Sequence, residues 1–359
     1  MVTSFRKKNC FVVCGGVSDE RYISVQSARA LINWICPKSY TIFVIWIDCE
    51  YRWHLFSEYE FQHCFDPESG EMGCFTMGRD GAIWQGKVQK IPIDMVVPTM
   101  HGALGEDGRF AGLCEMLNVP YVGSGVSGHV RCWDKELTKR ILHAHDIPIV
   151  PFLAIKSVHR MPTYHDACTQ LNTTVFIAKA ASQGSSFSVS VIESEKEYEP
   201  ILTSILNKYG KVLLEPKIVG DEIECGVLDD LDIKASVLGQ IIVPQGGVYS
   251  YDEKYGKQSK TVTTFPTHLS ASVTKKIQSY ATKAFRVLDC CGMARVDFFV
   301  IKKKTIMVNE VNTLPGLTSI SLYPQMWDKS GVNPFKLIQS LMDEALRRWH
   351  GKEFCARKR

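Results

Sequence analysis

Apolar runs of strand length alternate with helical patterns through the first third of this 359-residue chain. Glycines follow the first apolar run, at Gly15 and Gly16. The predicted strands lie at 10–14, Tyr40–Ile47 and Met95–Pro98, and the predicted helices lie at 23–35 and 108–117. Alternating strands and helices, with glycine where a strand ends, predict an α/β domain built on a parallel sheet.

The rest of the chain predicts two further lobes and a short tail. Before them, segment 51–90 is polar and aromatic without a clear period, and we interpret it as an insertion. The further predicted helices lie at 135–145 and Ala271–Val287, and the further strands lie at 174–178, 212–215, 223–228, 235–243, 294–300 and 305–311. The predicted domains are an N-terminal α/β domain at 1–130, a central lobe at 131–215, a C-terminal lobe with a lid loop at 216–350, and a basic tail at 351–359.

Composition and charge argue against two broad classes of protein. The 42 lysines and arginines nearly balance the 38 aspartates and glutamates, and apart from a short basic tail at 356–359 there is no long run of one sign. This is not the charge signature of a nucleic-acid binder. No stretch approaches the roughly 18 consecutive apolar residues that a membrane span requires. The 13 cysteines are scattered and odd in number, which predicts reduced thiols in a cytoplasmic protein.

The last predicted strand pair carries the residues most informative about chemistry. Side chains alternate along a strand, so Arg295 and Asp297 share one face of their strand, and so do Glu310 and Asn312 on the next strand. A hairpin would place the two pairs side by side, and carboxylates that converge among apolar residues require a cation. Oxygen ligands favour a hard ion, Mg²⁺ or Mn²⁺. The alternative is a simple salt bridge from Arg295 to Asp297 or Glu310.

The turn that follows these strands indicates an oxyanion site. Residues 312–319 are rich in backbone donors and lie at the mouth of the predicted metal face. There the Gly316 N–H can point toward a developing oxyanion, and Arg295 can supply a fixed positive charge beside it.

Two segments upstream indicate a nucleotide site. Lys179 ends an apolar strand just before the small-residue loop 182–188. Such a loop suits nucleotide phosphates because its backbone N–H groups can approach closely, although an exposed hairpin is the alternative. The strand end at 214–218 offers backbone groups for an adenine edge, and Asp221 and Glu222 follow with acids for ribose hydroxyls.

Together these features resemble the ATP-grasp enzymes, and within them the D-alanine–D-alanine ligase family. The similarity covers nearly the whole chain in order, through the motifs GGVSDER at 15–21, HGALGEDG at 101–108 and NEVNTLPGLTS at 309–319. It implies an α/β (α+β) protein with a three-lobed ATP-grasp fold and an N-terminal parallel α/β domain. It also implies ATP-dependent ligation of two D-alanine molecules through a D-alanyl phosphate. The products would be ADP, phosphate and D-alanyl-D-alanine for peptidoglycan precursors.

The resemblance implies a role for each residue that matches a family motif. The residues that the resemblance implies for ATP binding are Lys135, Lys179 and Lys254 at the phosphates, Glu215 and Ile218 at adenine, and Glu222 at ribose. Those implied at two Mg²⁺ (or Mn²⁺) ions are Asp297, Glu310 and Asn312.

The amino-acid substrates have implied partners as well. Glu20 would hold the ammonium group of the first D-alanine, and Ser185 and Tyr255 would complete a hydrogen-bonded trio that closes the site. His101 would lie in the floor near the substrates. The residues implied at the oxyanion are Arg295 and Gly316, and those implied at the second D-alanine carboxylate are Ser321 and Leu322.

Two departures and two alternatives accompany the resemblance. Ser188 stands where the family usually has glycine, and Ala180 where proline is common, which bears on the mobility of the phosphate loop. One alternative is a sibling ligase that uses D-serine or a hydroxy acid as the second substrate, although Tyr255 disfavours the lactate users. The other is a nucleotide-binding protein without ligase turnover. The resemblance further implies a cytoplasmic homodimer that binds small molecules and neither nucleic acid nor a membrane.

Overall fold

The computed structural model describes residues 6–78, 81–184, 188–242, 262–265, 268–318 and 320–356. These residues form a mixed α/β protein with three sheets, of seven, four and five strands. None of the helices in these ranges is both long and apolar enough to cross a bilayer.

The first sheet is parallel at one end, as predicted. β1 (Lys8–Gly15) lies between β2 (Tyr40–Ile47) and β7 (Met95–Pro98), and both neighbours run parallel to it. One set of alternate β1 side chains packs with residues of α1 (Arg21–Ile32). The other set packs with residues of α3 (Arg109–Met116). The strand is therefore buried on both faces, which explains its continuous apolar run.

Segment 51–90, which we interpret from the sequence as an insertion without a clear period, forms strands that extend this sheet. The elements are β3 (Trp53–Ser57), α2 (Glu58–His63), β4 (Glu71–Gly78), β5 (Gly81–Gly86) and β6 (Lys90–Pro92). The four strands are antiparallel and follow one another outward from β2. Phe75 is the one buried residue of β4, and its ring packs edge-to-face on Trp53 and Trp84. A strand held by one large ring shows too little alternation to be recognised in sequence.

The second sheet places Lys179 and Glu215 beside each other. Its elements are β8 (Leu153–Ile155), α6 (Tyr164–Leu171), β9 (Phe176–Ala180), β10 (Ser190–Ile192), α7 (Glu195–Tyr209) and β11 (Val212–Pro216). The strands are antiparallel in the order β10-β9-β11-β8. Lys179 pairs with Leu213 in register, and Glu215 is two residues further along β11. Diagonal neighbours of this kind lie on the same face of a sheet.

The third sheet carries the predicted metal face. Its elements are β12 (Asp221–Asp230), β13 (Asp232–Ile242), β14 (Val262–Thr264), α8 (Ala271–Val287), β15 (Met293–Ile301) and β16 (Thr305–Asn312). The strands are antiparallel in the order β14-β13-β12-β15-β16. β15 and β16 form the predicted hairpin, with Arg295 opposite Asn312 and Asp297 opposite Glu310. The expectation that the hairpin aligns these two pairs is confirmed.

The remaining helices connect the sheets. They are α4 (Val126–Trp133), α5 (Lys135–Ala144), α9 (Leu322–Lys329) and α10 (Pro334–Ala356). The Asp134 side chain caps α5 by accepting the N–H groups of Glu136 and Leu137. Because the cap fixes where α5 begins, Lys135 is its first residue and reaches the cavity between the second and third sheets.

Candidate active site

A cavity of about 370 Å³ lies between the second and third sheets. This volume is within the usual range for a small-molecule site. The predicted site residues that line it are Lys135, Lys179, Glu215, Ile218, Glu222, Arg295, Asp297 and Glu310. One cavity therefore contains residues that are far apart in the sequence. From the sequence, some of them are assigned to the nucleotide and others to the metal ions.

One end of this cavity is largely apolar. Ile177 and Pro216 of the second sheet and Ile241 of the third line it, together with Ile218 in the connection between the sheets. Glu222 lies at the start of β12 and contributes a carboxylate to the same wall. An apolar slot with an acid at its edge is compatible with a base and its ribose.

The phosphate end contains a buried network of charged side chains. The Lys179 ammonium lies 2.9 Å from one carboxylate oxygen of Glu215 and donates to the side-chain oxygen of Asn309 at 3.0 Å. The other Glu215 oxygen lies 3.0 Å from the ammonium of Lys139. Glu215 is 2% exposed, and although its burial would raise the pKa of its carboxyl, the two lysines hold that pKa below its ordinary value.

Lys135 joins the phosphate end to the acidic face. Its ammonium donates to the backbone carbonyl of Gln183 at 2.6 Å and lies 3.5 Å from a carboxylate oxygen of Glu310. Its backbone N–H donates to Ala181 at 2.9 Å, which ties the start of α5 to the end of β9. A helix start and a lysine at one place favour the binding of an anion.

Arg295 forms the salt bridge that was the alternative to a metal site. Its guanidinium donates two hydrogen bonds to Asp297, at 2.8 and 2.7 Å, and lies 3.2 Å from a carboxylate oxygen of Glu224. Burial opposes the positive charge, but Asp297 and Glu224 raise the pKa of Arg295 well above its ordinary value. Glu224 pairs with Asp297 in register, so acids from β12, β15 and β16 form one row across the sheet.

The oxygen donors of this row are compatible with a hard divalent cation. Asp297 and Glu310 face the cavity from adjacent strands, and the amide oxygen of Asn312 accepts the Leu314 N–H at 3.0 Å. Across the described parts of the chain, no group of three or more histidines, cysteines or acids could hold a metal by itself. Two carboxylates and an amide need further oxygen ligands, which nucleotide phosphates and water supply in sites of this kind.

The predicted floor of the substrate site is a second group of buried polar residues. His101 lies between Ser27 and the backbone carbonyl of Leu314, 3.1 Å from each. A carbonyl only accepts, so the Nδ1 atom of His101 carries the proton and Nε2 accepts from the Ser27 hydroxyl. Burial lowers the pKa of His101, and Glu20 opposes that shift.

Glu106 is a neutral acid in this floor. Burial, together with the nearby Glu20 carboxylate, raises the pKa of Glu106 to about 8. One of its oxygens accepts the Gly102 N–H at 2.7 Å. A Cβ on Gly184 would lie 2.9 Å from a Glu20 oxygen, and Gly184 also lines the large cavity. Gly184 therefore lies where the cavity meets Glu20.

The turn after β16 is held together by hydroxyl groups. Ser321 accepts the Thr318 N–H at 3.2 Å, and the two hydroxyls lie 2.7 Å apart. A Cβ on Gly316 would lie 2.7 Å from the Ser321 hydroxyl, so this close approach requires glycine. Leu322 is 9% exposed and packs with Ile241 in a small apolar cluster.

Three predicted residues lie outside the described ones, namely Ser185, Lys254 and Tyr255, together with the lid loop at 246–260. Sequence reasoning missed the roles of Lys139, Glu224 and Asn309. Lys139 lies one helical turn after Lys135, and Glu224 lies two strand positions after Glu222, so their spacings carried a signal. Asn309 carried none, because it faces the cavity through a bulge in β16 that strict alternation does not predict.

Two family models match the chain, D-ala D-ala ligase N-terminus over residues 9–124 and D-ala D-ala ligase C-terminus over residues 141–343. The chain belongs to the D-alanine–D-alanine ligase family. D-alanine–D-alanine ligases of Coxiella burnetii and Oceanobacillus iheyensis are 38% and 35% identical to it. Each alignment covers 95% of this chain, with 94% and 96% of the respective relative. The resemblance found in the sequence is thus confirmed.

Solved structures of this family agree with the fold. The D-alanine–D-alanine ligase from Coxiella burnetii has a TM-score of 0.87 and 36% identity, covering 98% of this chain and 97% of its own. The VanG D-Ala:D-Ser ligase from Enterococcus faecalis has a TM-score of 0.82 and 25% identity, covering 95% of this chain and all of its own. The chain has the ATP-grasp fold and is an ATP-dependent ligase of cell-wall synthesis.

Proposed function

We propose that this ligase joins two D-alanine molecules through a D-alanyl phosphate, with release of ADP and phosphate. The observation that carries the proposal is the cavity in which Lys135 and Lys179 meet the acids Asp297 and Glu310. Lysines together with acids that can hold metal ions suit a polyphosphate. Gly184 extends this cavity to Glu20, where the amino-acid substrate would lie. The dipeptide is a precursor of peptidoglycan.

ATP activates the first substrate, because a carboxylate is a poor electrophile until it is phosphorylated. Lys135, Lys179 and Lys254 bind the phosphates. Ile218 lines the adenine slot and Glu222 binds the ribose, while Glu215, whose carboxylate is paired with Lys139 and Lys179, offers its backbone groups to adenine. When two Mg²⁺ (or Mn²⁺) ions are bound, they neutralise charge on the transferring phosphoryl group. The residues that would hold these ions are Asp297, Glu310 and Asn312.

The first D-alanine binds above the buried floor. The Glu20 carboxylate pairs with its ammonium group, while His101 and Glu106 supply neutral hydrogen-bonding groups near neutral pH. One anion therefore meets one cation, without excess buried charge. Ser185 and Tyr255 complete a trio with Glu20, and the lid loop at 246–260 excludes the water that would hydrolyse the acyl phosphate.

The amine of the second D-alanine then attacks the carbonyl carbon of the acyl phosphate. Arg295 and the Gly316 N–H stabilise the tetrahedral oxyanion before phosphate leaves. Ser321 and Leu322 lie near the carboxylate of this second substrate. The direct test is release of phosphate from ATP with D-alanine alone, with the dipeptide identified by chromatography. Absence of the dipeptide in a folded protein that binds ATP would contradict the proposal.

A second candidate is a ligase that uses D-serine as the acceptor. The similarity to the VanG structure, named a D-Ala:D-Ser ligase, favours testing it. The assay offers D-alanine with an equal concentration of D-serine or D-lactate, and resolves the products. We expect D-alanyl-D-alanine to predominate, and a predominant mixed product would reassign the second site.

We further propose that the protein is cytoplasmic, that it uses Mg²⁺, and that its domain boundaries lie at 130, 215 and 350.

We also propose that the protein is a homodimer. Met116 of α3 is 83% exposed, and Val126 and Val130 on the adjacent α4 are 40% and 42% exposed. Exposed apolar side chains on two neighbouring helices are compatible with an interface between copies. Sedimentation equilibrium of the wild type, and of a Met116→Glu variant, tests this assignment. A monomeric wild type would contradict it.

A further inference from the structure

Lys139 is a fully buried lysine that lies behind the wall of the nucleotide cavity. Its side chain is 1% exposed, on the same face of α5 as Lys135 and one turn further along. The ammonium lies 3.0 Å from Glu215 and donates to the backbone carbonyl of Val150 at 3.2 Å. It lies 5.8 Å from the centre of the Phe152 ring. Lys139 does not line the cavity, whereas Glu215 does.

Glu215 transmits the position of Lys139 to the cavity. One carboxylate oxygen contacts Lys139 and the other contacts Lys179, so the carboxylate lies between the two ammonium groups. The Lys179 ammonium is thereby held between Glu215 and the side-chain oxygen of Asn309. Without Lys139, one of the Glu215 oxygens would be buried without its charged partner, which is costly.

Lys139 also contributes to the net charge of the cluster that it forms with Glu215 and Lys179. Glu215 alone would neutralise Lys179 and remove the attraction that this lysine adds to that of Lys135 for a polyphosphate. Two lysines and one glutamate carry a net charge of +1, which the buried setting screens only weakly. Burial lowers the pKa of Lys139 to about 8, with Glu215 opposing that shift, so the ammonium is mostly protonated at neutral pH.

We infer that Lys139 is a positioning residue for nucleotide binding. Through Glu215 it orients the Lys179 ammonium and keeps the phosphate end of the cavity positive. The inference rests on the proposed function, because it takes the ligand of this cavity to be ATP.

The test compares binding of a non-hydrolysable ATP analogue, adenylyl imidodiphosphate with Mg²⁺, by calorimetry. For Lys139→Met we expect the dissociation constant of the analogue to rise about 10- to 100-fold. This is the range found when residues that support metal-binding side chains are removed. The KM for D-alanine should change less than about twofold, because Glu20 and the substrate floor are untouched. Lys139→Arg, which keeps the charge, should recover part of the affinity.

Lys211→Met is the matched control. Lys211 also connects α5 to β11, through ion pairs with Asp134 and Glu136, but it does not line the cavity. The Lys211→Met variant should have a lower midpoint of thermal unfolding and an unchanged dissociation constant for the analogue. If Lys139→Met behaves like this control, Lys139 is purely structural and the inference is wrong.

A double-mutant cycle identifies the route of the effect. Because part of the effect of Lys139 is to orient Lys179, the loss of nucleotide affinity in the variant that carries both Lys139→Met and Lys179→Met should be smaller than the sum of the two single losses. Fully additive losses would contradict the inference. Should Lys139→Met fail to fold, Lys139→Gln is read by the same criteria, because its amide still donates to Val150. A wild type that binds the analogue but makes no dipeptide would refute the proposed function and leave this inference standing.

Discussion

Arg295 is partly buried, with 17% of its side chain exposed, between carboxylates on two neighbouring strands. It donates two hydrogen bonds to Asp297 on its own strand, and it lies 3.2 Å from Glu224 on β12. If Asp297 is to bind a metal ion, its oxygens have to turn partly away from the guanidinium. Glu224 then remains as the anion that compensates a buried positive charge, which is costly to leave unpaired.

Glu224→Gln tests this second carboxylate. We expect kcat to fall about 10- to 100-fold with a smaller change in the KM for ATP, because Arg295 loses its orientation toward the oxyanion. Steady-state kinetics at saturating Mg²⁺ measure both constants. Glu344→Gln is the control, since Glu344 is a buried glutamate paired with Arg348, away from the cavity. A normal kcat in Glu224→Gln would show that Asp297 alone positions Arg295.

Glu310→Gln tests the metal assignment. Glu310 lies opposite Asp297 and 3.5 Å from the Lys135 ammonium. A neutral amide cannot bridge two divalent cations as a carboxylate does, so turnover should be nearly abolished while the fold persists. Phosphate release and Mn²⁺ binding by electron paramagnetic resonance are measured on the same folded sample. Wild-type activity in that sample would refute the role of Glu310 as a metal ligand.

Helix α5 serves the site and the stability of the second sheet through different faces. Lys135 and Lys139, four residues apart, point toward the nucleotide cavity and the buried network behind it. Glu136, 5% exposed, lies on another face and pairs with Lys211, Lys156 and Arg140 at 2.9 to 3.1 Å. The position of Glu136 therefore depends on residues beside both β8 and β11.

Glu136→Gln should destabilise the protein in a pH-dependent way. Burial by itself would raise the pKa of Glu136, but Lys211, Lys156 and Arg140 lower it to about 2. The unfolded chain then binds more protons between pH 2 and the ordinary value near 4.5. The stabilisation is therefore complete above pH 4.5 and is lost as the pH falls toward 2.

Urea unfolding across this pH range measures the effect. Relative to wild type, Glu136→Gln should lose about 1–3 kcal/mol of unfolding free energy near neutral pH. The difference should shrink toward pH 2. Glu199→Gln, an exposed glutamate on α7, should leave the curve unchanged. A loss that is the same at every pH would mean that packing, and not charge, explains Glu136.

Contacts between lobes determine how the floor meets the cavity. His101 and His129 of the first domain reach Leu314 and Thr313 in the turn after β16. Arg348 of α10 donates to the backbone carbonyls of Gly123 and Tyr121, at 2.8 and 2.6 Å, and lies over the Tyr121 ring. The C-terminal helix thereby anchors the first domain against the third sheet.

Arg348→Met should weaken this anchor. Two charged hydrogen bonds and a cation–π contact are lost, so the unfolding free energy should fall by about 2–4 kcal/mol. Urea unfolding provides the measurement, and kinetics near the new midpoint should show a rising KM for D-alanine. Arg347→Met, an exposed neighbour, should change stability by less than about 0.5 kcal/mol. Equal stability of the two variants would contradict the anchoring role.

Elements with strong periodicity, and residues within local motifs, could be predicted from the sequence. The parallel strands follow from continuous apolar runs, and α8 and the β15–β16 hairpin follow from helical spacing and alternation, all of which are properties of neighbouring residues. Arg295, Asp297, Glu310 and Asn312 could be placed on one face for the same reason. The resemblance to the ligase family extended these local inferences to a fold and an activity.

Which distant groups share a buried environment depends on the tertiary fold and could not be predicted. The partnership of Lys139 with Glu215 joins a helix to a strand, and that of Glu224 with Arg295 joins two strands. Asn309 faces the cavity because of a bulge set by the pairing of β15 with β16. The ionisation state of a buried side chain depends on the groups that folding brings within a few ångströms of it. Sequence spacing does not encode those distances.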